Sequence, residues 1–292
     1  MACFSDPLCR ASLEGWAKSR ADDSTDAVER LFRKVLENDR LEVDTTTYHG
    51  VLDAWAHSDD PQAHPRMLSI WNNMVESSKH SPVVNPCMRS VHFLMMSCAR
   101  RAQRCSDNDA AMEAAREAHG LLKEQLNNKD PYIKPDVASY AIVMDAYANV
   151  GTFQGTQEAE QVMQDLKSAY DQTGDSRLRP NQVTYASLMK AWAHTPGRES
   201  VGHVQSLFDE LENDSVLRPN IRTYSILLNA WVRSTRAEKA KKALKILMAM
   251  KEKAKKGERD VRPSLSMYNC GKGSPQQTIC VCEVSLTVPL QR

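Results

Sequence analysis

Apolar residues recur along this chain at positions i, i+3, i+4, i+7 and i+8, with polar breaks between the groups. One such group consists of Tyr185, Leu188, Met189, Trp192 and Ala193. This spacing places all five side chains on one face of an α-helix, because the helix turns once in about 3.6 residues. A second run with helical spacing follows each polar break, as in SVGHVQSLFDEL. The pattern therefore predicts pairs of amphipathic helices.

The first helix of each pair repeats one pattern. It stands in VDTTTYHGVLDAWAHS, PDVASYAIVMDAYANV, PNQVTYASLMKAWAHT and PNIRTYSILLNAWVRS. The tyrosine column consists of Tyr48, Tyr140, Tyr185, Tyr224 and Tyr268. Two degenerate copies carry Cys9 and Val91 at the tyrosine position, in DPLCRASLEGWAKS and NPCMRSVHFLMMSCARR. Self-similarity of this kind predicts a repeat architecture.

The repeats have uneven lengths. Six are predicted, at 6–44 (degenerate), 45–87, 88–136 (degenerate), 137–181, 182–220 and 221–264, and a truncated repeat start with an irregular tail occupies 265–292. Pro followed by Asp or Asn, with Ser or Thr three residues on, predicts the start of several first helices, because a short polar side chain caps free N–H groups. Loop insertions such as RRAQRCSDNDA are expected to explain the differences in length.

A single helical pair cannot bury its own apolar face, so consecutive pairs are expected to stack. The predicted fold is all-α, a right-handed superhelical solenoid of helix-turn-helix repeats. A tryptophan column accompanies the tyrosines and consists of Trp16, Trp55, Trp192 and Trp231. We interpret these indoles as core side chains that pack between adjacent first helices.

Composition limits the function classes. The formal net charge of +1 excludes attraction of nucleic acid by bulk charge, so binding must depend on local placement. No apolar run reaches the roughly 20 residues of a membrane span, and the first residues lack a signal-peptide core. Cys9, Cys87 and Cys98 are expected to be free thiols, because no zinc-finger or disulfide spacing is present.

Motifs for catalysis were sought and not found. The sequence contains no H-x-E with P-C-x-x-C, no phosphate-binding G-x-x-x-x-G-K-[ST], no G-x-S-x-G and no H-E-x-x-H. We therefore expect no enzyme activity, metal, cofactor, small-molecule substrate or membrane partner. Because the pattern begins and ends within a repeat, the chain is expected to be a fragment or an imperfect gene model of a longer protein.

The repeated string resembles the pentatricopeptide repeat family in a lengthened variety. Its form is [PD or PN]-x-x-[ST]-Y-x-x-[LV]-[LM]-x-A-[WY]-A. The tetratricopeptide repeat fits less well, because no L-G pair follows a tryptophan here. The resemblance implies that first helices line a concave face, on which each repeat meets about one base of single-stranded RNA.

The resemblance also implies two columns of base-reading residues. One follows the tyrosine position and the other closes the repeat. The candidates are His49, His92, Ala141, Ala186, Ser225 and Asn269 in the first column, and Asp136, Asn181, Asn220 and Ser264 in the second. Ordinary helix capping is an equal alternative for the closing Asp and Asn residues. Ala186 is expected on a solvent-lined face.

A third column, nine residues after the tyrosine position, is where the family often has a phosphate-contacting lysine. The phosphate candidates are Lys18, His57, Arg100, His194 and Arg233. The alternative is that these cations complement the macrodipoles of their helices, which is worth about 0.3–1 kcal/mol each. The two interpretations are left open.

The family resemblance implies single-stranded RNA as the partner, with a role in organellar RNA processing, stability or translation. The expected location is the mitochondrion or the plastid. Two alternatives remain: a scaffold that binds other proteins, and the RNA-recognition part of a truncated nuclease.

Overall fold

The structure is a computed structural model that describes residues 24–36, 43–58, 60–197, 199–214, 216–264 and 267. All regular secondary structure within these residues is helical, with eleven α-helices and three short 3-10 helices. The all-α prediction is therefore confirmed. The first helix of the repeat predicted at 6–44 and nearly all of the tail predicted at 265–292 lie outside the described residues.

The helices alternate along the chain as first and second members of pairs. The α-helices are α1 (Ser24–Leu36), α2 (Thr45–His57), α3 (Ala63–Ser78), α4 (Met88–Arg104), α5 (Asn108–Asn127), α6 (Val137–Val150), α7 (Phe153–Thr173), α8 (Gln182–His194), α9 (Ser200–Asn213), α10 (Ile221–Arg233) and α11 (Lys239–Lys255). The 3-10 helices are Pro131–Ile133, Ser176–Leu178 and Arg259–Val261. The even-numbered α-helices carry the tyrosine position, so they are the first helices.

Polar caps begin the first helices, as the Pro-Asn pattern predicts. Asn181 accepts hydrogen bonds from the backbone N–H groups of Val183 and Thr184, and the Thr184 hydroxyl lies 3.1 Å from the Asn181 backbone nitrogen. Asn220 and Thr223 form the same reciprocal capping box at α10. These contacts satisfy N–H groups that lack partners within the helix.

One loop prediction is wrong. The segment RRAQR after Ala99 does not form a loop insertion, because α4 continues to Arg104 and α5 begins at Asn108. Alanine, arginine and glutamine are favourable helix residues, and nothing in this segment terminates a helix. The extra length of this repeat therefore lies in its helices, and the arginines lie on the last turns of α4.

The chain divides into two compact units, residues 1–146 and 147–292. In the first unit, α2 packs against α3 of its own pair and against α4, the next first helix, while α3 also contacts α4. In the second unit, α8 packs in the same way against α9 and α10. Within each unit, helical pairs therefore stack as the predicted repeat architecture requires. The superhelical course of the whole chain stays a prediction.

The tyrosine column holds each repeat together internally. Tyr48 is fully buried, and its hydroxyl lies 2.9 Å from Ser77 Oγ on α3, the second helix of the same pair. The Tyr185 hydroxyl donates a hydrogen bond to Glu210 Oε1 on α9 at 2.6 Å. Burial raises the pKa of Tyr185 well above its usual range, and the hydrogen bond to the adjacent carboxylate of Glu210 contributes in the same direction. The phenols of Tyr48 and Tyr185 thus serve as packed hydrogen-bond donors.

The tryptophan column connects consecutive repeats. Trp192 and Trp231 are 4% and 2% exposed, so the predicted burial is confirmed. The Trp192 indole nitrogen donates to Glu160 on α7, and that of Trp231 donates to Gln205 on α9, each at 2.9 Å. Both acceptors lie on the second helix of the preceding pair. These hydrogen bonds to second helices add to the predicted packing between first helices, because a buried indole N–H group is stabilised by an acceptor.

Two further properties were predicted from the sequence. None of the helices in the described ranges is both long and apolar enough to cross a membrane. Cys87 and Cys98 are free thiols as predicted, and Cys105 is also free.

Candidate nucleic-acid interface

In the first unit, the residue after the tyrosine position contacts the start of the next first helix. His49 Nε2 lies 2.8 Å from Ser90 Oγ and 3.7 Å from Cys87 Sγ, and Cys87 is the N-cap residue of α4. The hydrogen bond with His49 lowers the pKa of Cys87 to about 6, despite the opposing effect of burial. The structure thus brings together His49 and the residue that closes its own repeat.

The following repeat shows the same arrangement with different side chains. His92 Nε2 lies 2.9 Å from Ser139 Oγ and 3.2 Å from Asp136 Oδ1. Burial raises the pKa of Asp136, but hydrogen bonds from His92 and from the Ser139 backbone outweigh burial and lower it to about 2. Asp136 is therefore a carboxylate at neutral pH, paired with the other predicted reading residue of the same repeat.

The alanines of the reading column are covered. Ala141 and Ala186 are 5% and 1% exposed, so the expectation that Ala186 is solvent-lined is wrong. A methyl group is too short to pass its neighbours where first helices pack directly against each other, as α8 and α10 do. Ser225 is half-buried. These positions therefore present less side chain to a ligand than the two histidines do.

Asp136, Asn181 and Asn220 each close one repeat and also cap the first helix of the next repeat. Asp136 accepts from the Ser139 N–H at 3.0 Å, and Asn181 and Asn220 cap α8 and α10 through their side-chain oxygens. The amide nitrogen of Asn220 also donates to Gln182 Oε1 at 2.9 Å. Ser264 is exposed. Lys18 and Asn269 lie outside the described residues.

A cleft lies between the C-terminal ends of α2 and α4. It has a volume of about 240 Å³, and its walls include Trp55, Ser58, Arg100, Arg101 and Arg104. Three guanidinium groups thus lie together on its wall, and guanidinium groups bind phosphates.

An equivalent cleft of about 290 Å³ lies between the ends of α8 and α10 in the second unit. Trp192, His194, Thr195, Arg233 and Ser234 contribute to its walls. Three of the five phosphate candidates, Arg100, His194 and Arg233, therefore line clefts at the same place in two pairs of repeats. The two clefts are equivalent because each lies between the ends of the first helices of two consecutive repeats.

Two of these side chains also contact carbonyl oxygens at the ends of first helices. Arg100 Nη1 donates to the Ala56 carbonyl oxygen at 3.3 Å, and His194 Nδ1 lies 3.3 Å from the Ala148 carbonyl oxygen. Each carbonyl belongs to the last turn of a first helix, where free acceptors and the negative end of the macrodipole lie. His57 instead pairs with Asp53 of its own helix, at 3.2 Å. The helix-end interpretation therefore has direct geometric support at two positions.

Some cleft residues were missed from the sequence. Arg104 donates to the Ser58 carbonyl oxygen at 2.9 Å, and Arg101 pairs with Glu117 on α5. Both were assigned to a loop insertion, so their position beside Arg100 was not expected. The helical spacing of Arg100 and Arg104, four residues apart, is the signal that would have identified them.

The comparisons with known proteins concern the family and the fold. Residues 206–270 match the family model described as "Pentatricopeptide repeat domain". The repeat recognised in the sequence is therefore confirmed as a pentatricopeptide repeat, within a stretch that contains α10 and α11 completely. A comparison with curated proteins gives no match.

Solved structures of pentatricopeptide repeat proteins are similar to this chain. The crystal structure of PPR10 from maize is 16% identical with a TM-score of 0.34, over 84% of this chain and 38% of that chain. The structure of PPR10 in complex with an 18-nt psaJ RNA element is 15% identical with a TM-score of 0.35, over 78% and 38% of the two chains. This chain thus spans less than half the length of these proteins.

Proposed function

We propose that this chain binds single-stranded RNA along its first helices. The observation that carries the proposal is the recurrence of one arrangement: cationic and tryptophan side chains line equivalent clefts at the ends of α2 and α4, and of α8 and α10. Cations grouped at the ends of first helices can contact an RNA backbone even though the net charge is only +1. The pentatricopeptide repeat in residues 206–270 supports the same function.

Base recognition would use the pairs formed by the two reading columns. His49 with Cys87 and His92 with Asp136 are adjacent pairs that offer hydrogen-bonding groups. Such groups can meet the edges of unpaired bases. Ala186 offers no hydrogen bond, so the repeat at 182–220 would discriminate mainly through Asn220.

The proposed biological role is RNA processing, stability or translation in a mitochondrion or a plastid, by binding without catalysis. This part of the proposal rests on the family alone. Crosslinking the protein to RNA in cells, followed by sequencing of the attached RNA and organelle fractionation, tests the target and the location together.

Asn220 allows the helix cap to be separated from base reading. Asn220→Asp keeps a side-chain oxygen that caps α10, but it replaces the amide donor with an acceptor. Because the amide also donates to Gln182 Oε1, we expect a small loss of thermal stability, together with a changed base preference at one position in random-pool RNA selection. The control is Asn229→Asp on the exposed surface of α10, which adds the same charge and should leave base preference unchanged.

A protein-binding scaffold is the second candidate. It is favoured by the observation that His49 and His92 already have hydrogen-bond partners within the protein. Salt-sensitive binding of single strands over duplexes supports the RNA proposal, whereas absence of RNA binding by the folded protein moves the scaffold ahead. Magnesium-dependent cleavage of the bound strand would instead support the nuclease alternative.

A further inference from the structure

One position of the tryptophan column holds a cysteine. In the degenerate repeat at 88–136, Cys98 stands where the other repeats have Trp55, Trp192 and Trp231. Cys98 is completely buried, and its Sγ lies 3.7 Å from Nδ1 of His64, which is 6% exposed. Because a thiol is much smaller than an indole, this position leaves room for polar side chains from neighbouring helices.

Three potential metal ligands meet there. His64 on α3, Cys98 on α4 and Glu117 on α5 each offer a donor atom, and the three atoms lie within 4.8 Å of one another. In a tetrahedral zinc site, bond lengths of about 2.0–2.3 Å place ligand atoms roughly 3.3–3.8 Å apart. Side-chain movements on the order of 1 Å would therefore bring all three atoms to bonding distance.

The hydrogen bonds around His64 leave one ring nitrogen directed at a carboxylate. The Ser97 hydroxyl donates to the Leu94 carbonyl oxygen at 2.7 Å, so it accepts from His64 Nδ1, which also lies 2.7 Å away. His64 Nε2 faces Glu117 Oε1 at 2.7 Å. In the neutral imidazole with Nδ1 protonated, Nε2 and a carboxylate oxygen are both acceptors, so a positive group must lie between them. Either a proton or a metal ion meets this requirement.

The surroundings resemble the outer shell of a metal site. Arg101 holds the other oxygen of Glu117, Oε2, and Ser97 fixes the ring of His64. Such hydrogen bonds orient ligands in metalloproteins. Glu117 is thus held between Arg101 and His64. The cleft of about 240 Å³ beside His64 can supply a water molecule as fourth ligand.

We propose that His64, Cys98 and Glu117 bind one divalent metal ion of the zinc class and thereby link α3, α4 and α5. Imidazole, thiolate and carboxylate together suit zinc and cobalt(II) better than magnesium or calcium, which prefer oxygen ligands alone. Formation of the metal–sulfur bond releases the Cys98 thiol proton to the solvent. The site adjoins the cleft that the proposed function assigns to RNA, and cobalt titration without RNA tests the site separately.

Cobalt(II) titration of the metal-stripped full chain tests the proposal. We expect one equivalent to produce a thiolate-to-cobalt charge-transfer band in the near ultraviolet and tetrahedral bands in the visible range, which zinc then displaces. Cys98→Ser should lose that equivalent. Cys87→Ser is the matched control and should still bind that equivalent of cobalt. Cys280 and Cys282 are present in every variant, so any cobalt that they bind contributes equally to all the spectra.

Two further measurements guard against a variant that fails to fold. Glu117→Gln should weaken cobalt affinity by at least about tenfold while circular dichroism shows the helices intact. Zinc should raise the Tm of the wild type and of Cys87→Ser, but not that of Cys98→Ser. Identical cobalt spectra and stoichiometry in the wild type and in folded Cys98→Ser would overturn the proposal, and so would the absence of cobalt binding at micromolar concentrations.

Discussion

A buried indole is stable when its apolar rings are packed and its N–H group has an acceptor. Trp192 meets both conditions, because its ring stacks on His203 at 3.8 Å between centroids and its nitrogen donates to Glu160. The Trp55 nitrogen is buried and finds no hydrogen-bond acceptor among the described residues. Two members of one column therefore differ in a way that the sequence pattern does not show.

The first prediction concerns this column. Trp192→Ala should lower the free energy of unfolding by about 3–5 kcal/mol, through lost burial and the cavity that remains. Trp192→Phe should cost about 1 kcal/mol more than Trp55→Phe, because only Trp192 loses a hydrogen bond. Urea unfolding measures these differences. Met248→Ala is the exposed control, and equal costs for the two phenylalanine variants would contradict the prediction.

The second prediction concerns Asp136, whose pKa is lowered to about 2 in the folded protein. A depressed folded-state pKa contributes stability above the unfolded value, near pH 4, and this contribution is lost as pH falls through about 2. Because the side chain is 39% exposed, solvent screening reduces the contribution to about 1 kcal/mol.

Asp136→Asn tests this contribution because asparagine still caps α6. The variant should be less stable than the wild type at pH 7, and the difference should shrink between pH 4 and pH 2. Urea unfolding at several pH values measures it. A difference that stays constant with pH would show that the charge of Asp136, and its pairing with His92, do not stabilise the fold.

At the scale of the element, the caps determine where the first helices begin. The third prediction is that Asn181→Ala costs about 1 kcal/mol, because two N–H groups of α8 lose their acceptor. Hydrogen exchange at Val183 and Thr184 should accelerate before global unfolding. The matched control is Asn229→Ala at an exposed position within α10, where alanine is the better helix residue. Unchanged exchange at both amides would contradict a capping role.

At the scale of the whole molecule, the balanced charge makes the position of cations important. The fourth prediction is that Arg100→Ala and Arg233→Ala each weaken binding of all single strands alike and lower the salt slope by about 0.7, the value for one phosphate contact. Binding assays across a salt series measure this slope. Lys245→Ala, at an exposed position of α11, is the control and should leave the salt slope unchanged.

An unchanged slope in the arginine variants, with lower thermal stability, would support the helix-end role instead. Arg100 is the more informative variant, because its contact with the Ala56 carbonyl already supports that role. A loss of both stability and salt slope would mean that one guanidinium serves both purposes.

The sequence by itself determined the features that depend on near neighbours. Helical period, Pro-Asn starts, the capping partners Thr184 and Thr223, and burial of the tyrosine and tryptophan columns all follow from spacings of a few residues. The physical reason is that helix periodicity and capping act within one or two turns. The arginines after Ala99 continue the helical pattern of α4. They were misassigned because the greater length of this repeat was attributed to a loop.

Only the tertiary structure decided which distant residues meet. The pairs His49 with Cys87 and Trp192 with Glu160, and the cluster at Cys98, join residues from different helices or helix ends that are distant in the sequence. Stacking of helices sets these contacts through crossing geometry and side-chain volume, which a linear pattern does not contain. The burial of Ala186 belongs here too, since the column predicts its face but the neighbouring helix determines how far its methyl group is covered.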